Sequence, residues 1–98
     1  MPIIHSVVFS LVHQPDSREE AAFLQAAGET LSAIPGVHEF TIRRQVSVFS
    51  PLRFQFSMVF EDQAAYDAYN SHPAHVGFVE DRWNTEVTAF QEYDFVDA

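Results

Sequence analysis

Thirteen consecutive residues, Tyr66-Asp67-Ala68-Tyr69-Asn70-Ser71-His72-Pro73-Ala74-His75-Val76-Gly77-Phe78, hold two tyrosines and two histidines around one proline. No other stretch of the chain is as rich in groups that move protons. An imidazole, with an unperturbed pKa of ~6.5, can remove a proton at neutral pH, and a phenol can hydrogen-bond a developing enolate oxygen. Pro73 sets the local shape. It lacks an amide hydrogen, disfavours helix at His72 and suits the first turn of a new helix. The spacing therefore predicts one helix ending near Ser71 and another starting at Pro73. Three residues turn a helix by ~300°, so His75 can face a sheet while His72 points elsewhere. Tyr69, one turn before the break, can approach the same space.

A third candidate is distant in sequence. His5 sits early in an apolar stretch, on the same side as Val7 and Phe9. His75, Tyr69 and His5 around an apolar cavity would form an acid–base site, with His72, Tyr66, Phe9, Phe56 and Phe78 as its substrate-binding surroundings. The His72-x-x-His75 pair could instead be half of a metal site, with His5 or Asp67 as third ligand, but Pro73 between the pair and the lack of a carboxylate-rich neighbourhood argue against a metal. The chain has no glycine-rich phosphate loop, nucleophile elbow or HExxH motif, so the site is expected to work without a cofactor. His13 and His38 are expected at strand ends, in solvent.

Composition narrows the classes of function. The chain has 98 residues, enough for one small domain, 1–98, with a single core. Aromatics make up 14% of it, including ten phenylalanines, which suggests more apolar surface than one monomer buries. The net charge is −9 and every basic residue is arginine. Nucleic acid and anionic membranes would be repelled, so neither is an expected partner. Without cysteine there is no thiol catalysis, disulfide or Cys-ligated metal. Neither a signal peptide nor a membrane-length apolar run is visible, and the default expectation is a soluble cytoplasmic protein.

The elements that must position the candidates follow from periodicity. Residues 3–13 read as a strand with Ile3, His5, Val7, Phe9 and Leu11 on one face and Ile4, Ser6, Val8, Ser10 and Val12 on the other. Gln14-Pro15-Asp16 is a turn, and Ser17-Arg18-Glu19-Glu20 matches a capping box. The helix after it should run to about Ile34, with Ala21, Leu24, Ala27, Leu31 and Ile34 near helical spacing, and Pro35-Gly36 should end it. Strands are expected over Val37–Val48 and over 52–60, the latter with Leu52, Phe54, Phe56, Met58 and Phe60 on one face. Asp62 is the expected N-cap of the second helical region, which should reach about Arg82. A last strand is expected from Trp83 to about Val96, carrying Val87, Ala89, Tyr93 and Phe95.

This β-α-β-β-α-β order is the ferredoxin-like α+β arrangement, with helices on one side of a four-stranded antiparallel sheet. The open side includes Ile4, Val8 and Val12, too apolar to face water. Two such sheets packed face to face would close a barrel, so a homodimer through the open sheet face is expected, with a small hydrophobic or aromatic molecule as ligand.

With these residues in place, the chain resembles the stress-responsive dimeric A/B barrel family. The resemblance rests on Ile4-His5-Ser6-Val7-Val8-Phe9, on Ile34-Pro35-Gly36-Val37 and above all on Tyr69-Asn70-Ser71-His72-Pro73-Ala74-His75. It implies a dimeric α/β barrel. A plant polyketide cyclase of that family performs an intramolecular aldol condensation, and its matching motif implies His75 as general base, Tyr69 as its assistant and His5 as a further required group. The resulting expectation is a cofactor-independent cyclase or isomerase acting on a β-keto or phenolic molecule. The alternatives are a non-catalytic stress-responsive or small-hydrophobe-binding dimer, and a monooxygenase-like protein on the same barrel.

Overall fold

Alternating side chains at the start of the chain form strand β1, Ile3–Leu11, with Ile3, Val7 and Phe9 buried beneath the helices. The computed structural model describes residues 1–98. Val12 and His13, expected to continue the strand, lie beyond it. Helix α1, Arg18–Leu31, is capped by the Ser17 hydroxyl, which accepts the Glu20 amide at 3.2 Å. The buried Glu20 carboxylate reaches back one residue further than a capping box does, accepting the Asp16 amide at 3.0 Å. The buried row is Glu20, Phe23, Ala27 and Leu31; Ala21 is exposed and Leu24 half-buried, so the inward face is rotated from the expected one. Beyond Leu31 the chain turns, with Ile34 still buried and Gly36 at φ 89°, a conformation that favours glycine.

Strand β2 covers His38–Arg44 and strand β3 covers Phe54–Phe60, both shorter than the patterns suggested. Their pairing stops at Arg44 and Phe54. Between them the Gln45 side-chain amide donates to the carbonyls of Ser50 (3.2 Å) and Leu52 (2.6 Å), folding the segment into a loop. Val46 and Val48, within the span expected for the second strand, are therefore exposed on that loop. Within β3 the alternation holds throughout: Phe54, Phe56, Met58 and Phe60 are buried and the residues between them are half-buried.

Helix α2, Gln63–Ser71, starts at Asp62, whose carboxylate accepts the Ala65 amide at 2.9 Å. Helix α3, Pro73–Phe78, follows after the break at His72. It widens into a π-helical turn, Val79–Trp83, and one last helical turn, Asn84–Glu86. Strand β4 is Val87–Phe95. Trp83 is thus part of the helical layer rather than the opening of the last strand. Its ring lies 5.1 Å from Phe9 and 6.3 Å from Phe23, an aromatic packing that holds the backbone against the sheet.

The four strands form one antiparallel sheet in the order β2-β3-β1-β4, the ferredoxin-like α+β fold. Its core lies between sheet and helices, with Phe9, Phe23, Phe56, Phe60 and Met58 fully buried, each contributing about 1.5–3 kcal/mol. On the other face Ile4, Tyr93 and Phe95 remain exposed, and Ile4 pairs in register with Phe95. A register shift at Ser10/Leu11 sends Val87 to the core side while Ala89, Tyr93 and Phe95 share the open face. The inward positions of β4 are consequently Phe90, Glu92 and Asp94, opposite Phe9, Val7 and His5.

Candidate active site

Between α2, α3 and the β1–β4 half of the sheet lies a cavity of about 320 Å³. His5, Tyr69 and His75 all line it, together with Phe56, Phe78, Trp83, Phe90 and Glu92. Each of the three candidates arrives from a different element: β1, the last turn of α2 and the first turn of α3.

The helix break supplies the local geometry. The His72 amide donates to the Tyr69 carbonyl at 3.1 Å, closing α2, and its ring Nδ1 accepts the Ala74 amide at 3.1 Å, opening α3. His72 is therefore the cap of both helices and does not line the cavity. His75 donates from Nδ1 to the Asn70 carbonyl at 3.1 Å, which leaves Nε2 with the lone pair. Its ring is half-buried and stands 4.5 Å from that of Tyr69. Burial is the main cause that lowers the His75 pKa, with the nearby His5 acting in the same direction; the Asn70 hydrogen bond and Glu92 oppose. His75 is thus neutral at pH 7, the form a general base requires.

Tyr69 is buried, and its hydroxyl has no hydrogen-bond partner in the protein, yet no buried polar side-chain atom in the chain is left sealed and unpaired. The hydroxyl therefore opens to the cavity. Burial first, then the neighbouring Tyr66 and Glu92, push its pKa well above the ordinary value, so the phenol stays protonated and serves as a donor.

His5 is held by a different device. Its Nδ1 donates to Asp94 Oδ1 at 2.6 Å, and the Tyr66 hydroxyl lies 3.0 Å from the same nitrogen while donating to Asp94 Oδ2 at 3.0 Å. Because a carboxylate only accepts, the proton sits on Nδ1, and Nε2 faces the cavity without a partner. Burial and the adjacent Asp94 raise the Tyr66 pKa, keeping it a donor.

Of the expected substrate-binding residues, Phe56 and Phe78 line the cavity. Phe9 is fully buried in the core beneath it, and Tyr66 stands behind His5. Sequence reasoning missed Asp94, Glu92 and Trp83. Glu92 and Asp94 share strand parity in the sequence, but only the β1–β4 register turns that parity toward the helices. His13, expected in solvent, donates from Nε2 to Glu86 Oε1 at 2.6 Å, and Arg82 holds the same carboxylate at 2.9 Å and 3.2 Å. Burial pushes the Glu86 pKa up, but the Arg82 and His13 hydrogen bonds outweigh it and hold it below the ordinary value. This cluster ties the end of the π-helical segment to the end of β1 and so fixes Trp83 in the cavity wall. No three His, Asp or Glu side chains converge as a metal site would require.

The family model of the stress responsive A/B barrel domain matches residues 3–97. The crystal structure of a Dabb family protein with a ferredoxin-like fold from Mesorhizobium loti is 52% identical, with a TM-score of 0.98 over 99% of this chain and 97% of that one. Two more distant structures share the fold. A hydroxynitrile lyase from Passiflora edulis has a TM-score of 0.84 at 10% identity, over 99% of this chain and 94% of its own. A dimeric ferredoxin-like protein of unknown function from Thermobifida fusca has a TM-score of 0.78 at 17% identity, over 98% and 91%. No curated protein matches the chain. No helix is long and apolar enough to cross a membrane.

Proposed function

The chain belongs to the stress responsive A/B barrel domain family, and we propose that it is a cofactor-independent proton-transfer enzyme of the cyclase or isomerase type, acting on a β-keto or phenolic small molecule. The observation that carries this reading is that His75, Tyr69 and His5 line one cavity while both imidazoles are held by Nδ1, leaving both Nε2 atoms unpartnered.

In the proposed step His75 Nε2 takes a proton from the carbon next to a carbonyl. The C–H bond breaks, an N–H bond forms, and the electron pair moves to the carbonyl oxygen, where the Tyr69 hydroxyl donates a hydrogen bond to it. In an isomerase the proton returns to a different carbon. In a cyclase the enolate carbon attacks a second carbonyl carbon of the same molecule, and the new alkoxide takes the proton back from His75. His5, oriented by Asp94 and Tyr66, positions the carbonyl compound. The apolar wall of Phe56, Phe78 and Trp83 excludes water and strengthens each of these interactions. We also propose that two copies pair through the open sheet face, which would cover Ile4, Tyr93 and Phe95.

The test is deuterium uptake at the α-carbon of 1-phenylbutane-1,3-dione in D₂O, followed by proton NMR. The wild type should accelerate exchange in a saturable manner and His75→Ala should not. If the diketone binds but exchanges at the buffer rate, the cavity is a binding site for a small hydrophobe and the catalytic reading is lost.

A further inference from the structure

We infer that the cavity admits an uncharged ketone and rejects its carboxylated or phosphorylated counterparts, and that Glu92 sets this selectivity. The inference rests on the cavity being the reacting site and adds the charge class of the molecule that enters it.

Glu92 lines the cavity from the edge strand β4, where it is also open to solvent, and takes part in no ion pair. Nothing there offsets its charge. No arginine lines the cavity, and the chain has no lysine. Arg82, next in sequence to the wall residue Trp83, is committed to Glu86 and lies over the Phe23 ring at 5.9 Å. With its carboxylate ionised, the His5–Asp94 pair offers the cavity no net positive charge, since any charge on the imidazole is offset by Asp94. His75 has its proton affinity lowered by burial and supplies no cation at neutral pH. The remaining polar wall groups, Asn70 and Asn84, are amides.

An anionic substrate entering this space would lose its hydration, find no cation to replace it and approach a carboxylate. A ketone or phenol loses only weak hydration and meets a phenol donor, imidazoles and amides that match it. Repulsion of the wrong charge, rather than extra attraction for the right one, would thus provide the discrimination. The open sheet face proposed to meet a second copy is on the opposite side of the sheet, so the partner's arginines would not be brought to this wall by that pairing. The net charge of −9 acts in the same direction at longer range.

Trp83 is the only tryptophan and lines the cavity, so its fluorescence reports occupancy directly. The probes are methyl 4-acetylbenzoate and 4-acetylbenzoate, the same aryl ketone with and without a charge. The ester should quench Trp83 saturably, and the acid should bind at least about tenfold more weakly at low ionic strength. Added salt should narrow that gap in the wild type, and Glu92→Gln should close most of it. Equal or tighter binding of the acid, a gap that neither salt nor Glu92→Gln changes, or no saturable quenching by either probe would each overturn the inference. The salt series uses the wild-type protein, so the test survives if the variant does not fold. Catalysis is separable: exchange of the bound ester's methyl-ketone protons at the buffer rate would sink the enzymatic reading while the ester-over-acid preference stood as the property of a binding pocket.

Discussion

The two walls of the cavity hold a histidine in opposite ways. On the helix wall His75 is anchored to a backbone carbonyl five residues earlier, within one break in one helical region. On the strand wall His5 is anchored to a carboxylate 89 residues away, delivered by the pairing of β1 with β4. Both anchors occupy Nδ1 and leave Nε2 facing the cavity. The difference lies in what tunes each ring. A backbone carbonyl fixes orientation with a partial charge, so burial dominates at His75 and the ring stays neutral. A carboxylate accepts from Nδ1 of His5 and so fixes that ring's tautomer as well as its orientation. One wall is therefore suited to take a proton and the other to orient and polarise.

Removing the base should have the largest effect. His75→Ala should lower kcat/KM for the diketone by about 10²–10⁴-fold with the thermal midpoint little changed, because the ring is only half-buried. An equal loss of stability and activity would make His75 a packing residue. Asp94→Asn should cost less, about tenfold or more in kcat, because it reverses the hydrogen-bond preference at His5 Nδ1 without removing the base. Its tautomeric effect should be visible in the nitrogen spectrum of His5, a signature that a loss of packing would not produce.

The pH dependence follows from the lowered pKa of His75. In activity, the acid limb of kcat/KM should fall below pH ~6.5. In stability, between the folded value and ~6.5 the unfolded chain binds a proton that the folded chain does not, so stability rises with pH across that window. The contribution is fully present above ~6.5 and is lost as pH falls through the folded value; denaturant titrations of wild type and His75→Ala across pH 5–8 should show the variant losing that slope. The smallest effect expected is that of Tyr66→Phe, which removes one donor to Asp94. It should destabilise by about 0.5–1.5 kcal/mol in chemical denaturation and leave His75 unaffected.

The asymmetry between the walls also explains what could be read from the sequence. The break at Pro73, the caps Ser17 and Asp62, and the alternation of β3 are all local, and the strand order follows from the order of elements, so the fold and the His75–Tyr69 half of the site were legible. Asp94 was not, because its meaning depends on the β1–β4 register and on the bulge at Ser10/Leu11 that turns positions 90, 92 and 94 inward. The apolar residues of the last strand that share the opposite parity, Tyr93 and Phe95, lie on the open face. Val46 and Val48 misled for a related reason: they carry strand-like spacing, but Gln45 ties the backbone into a loop before they can pair.

The most direct measurement is a pH titration of the side-chain nitrogens of ¹⁵N-histidine-labelled protein. His75 is expected to carry its proton on Nδ1 at pH 7, with Nε2 bare, and to titrate below the ordinary histidine value. A proton on Nε2 at neutral pH, or titration above that value, would contradict the assignment of His75 as the base.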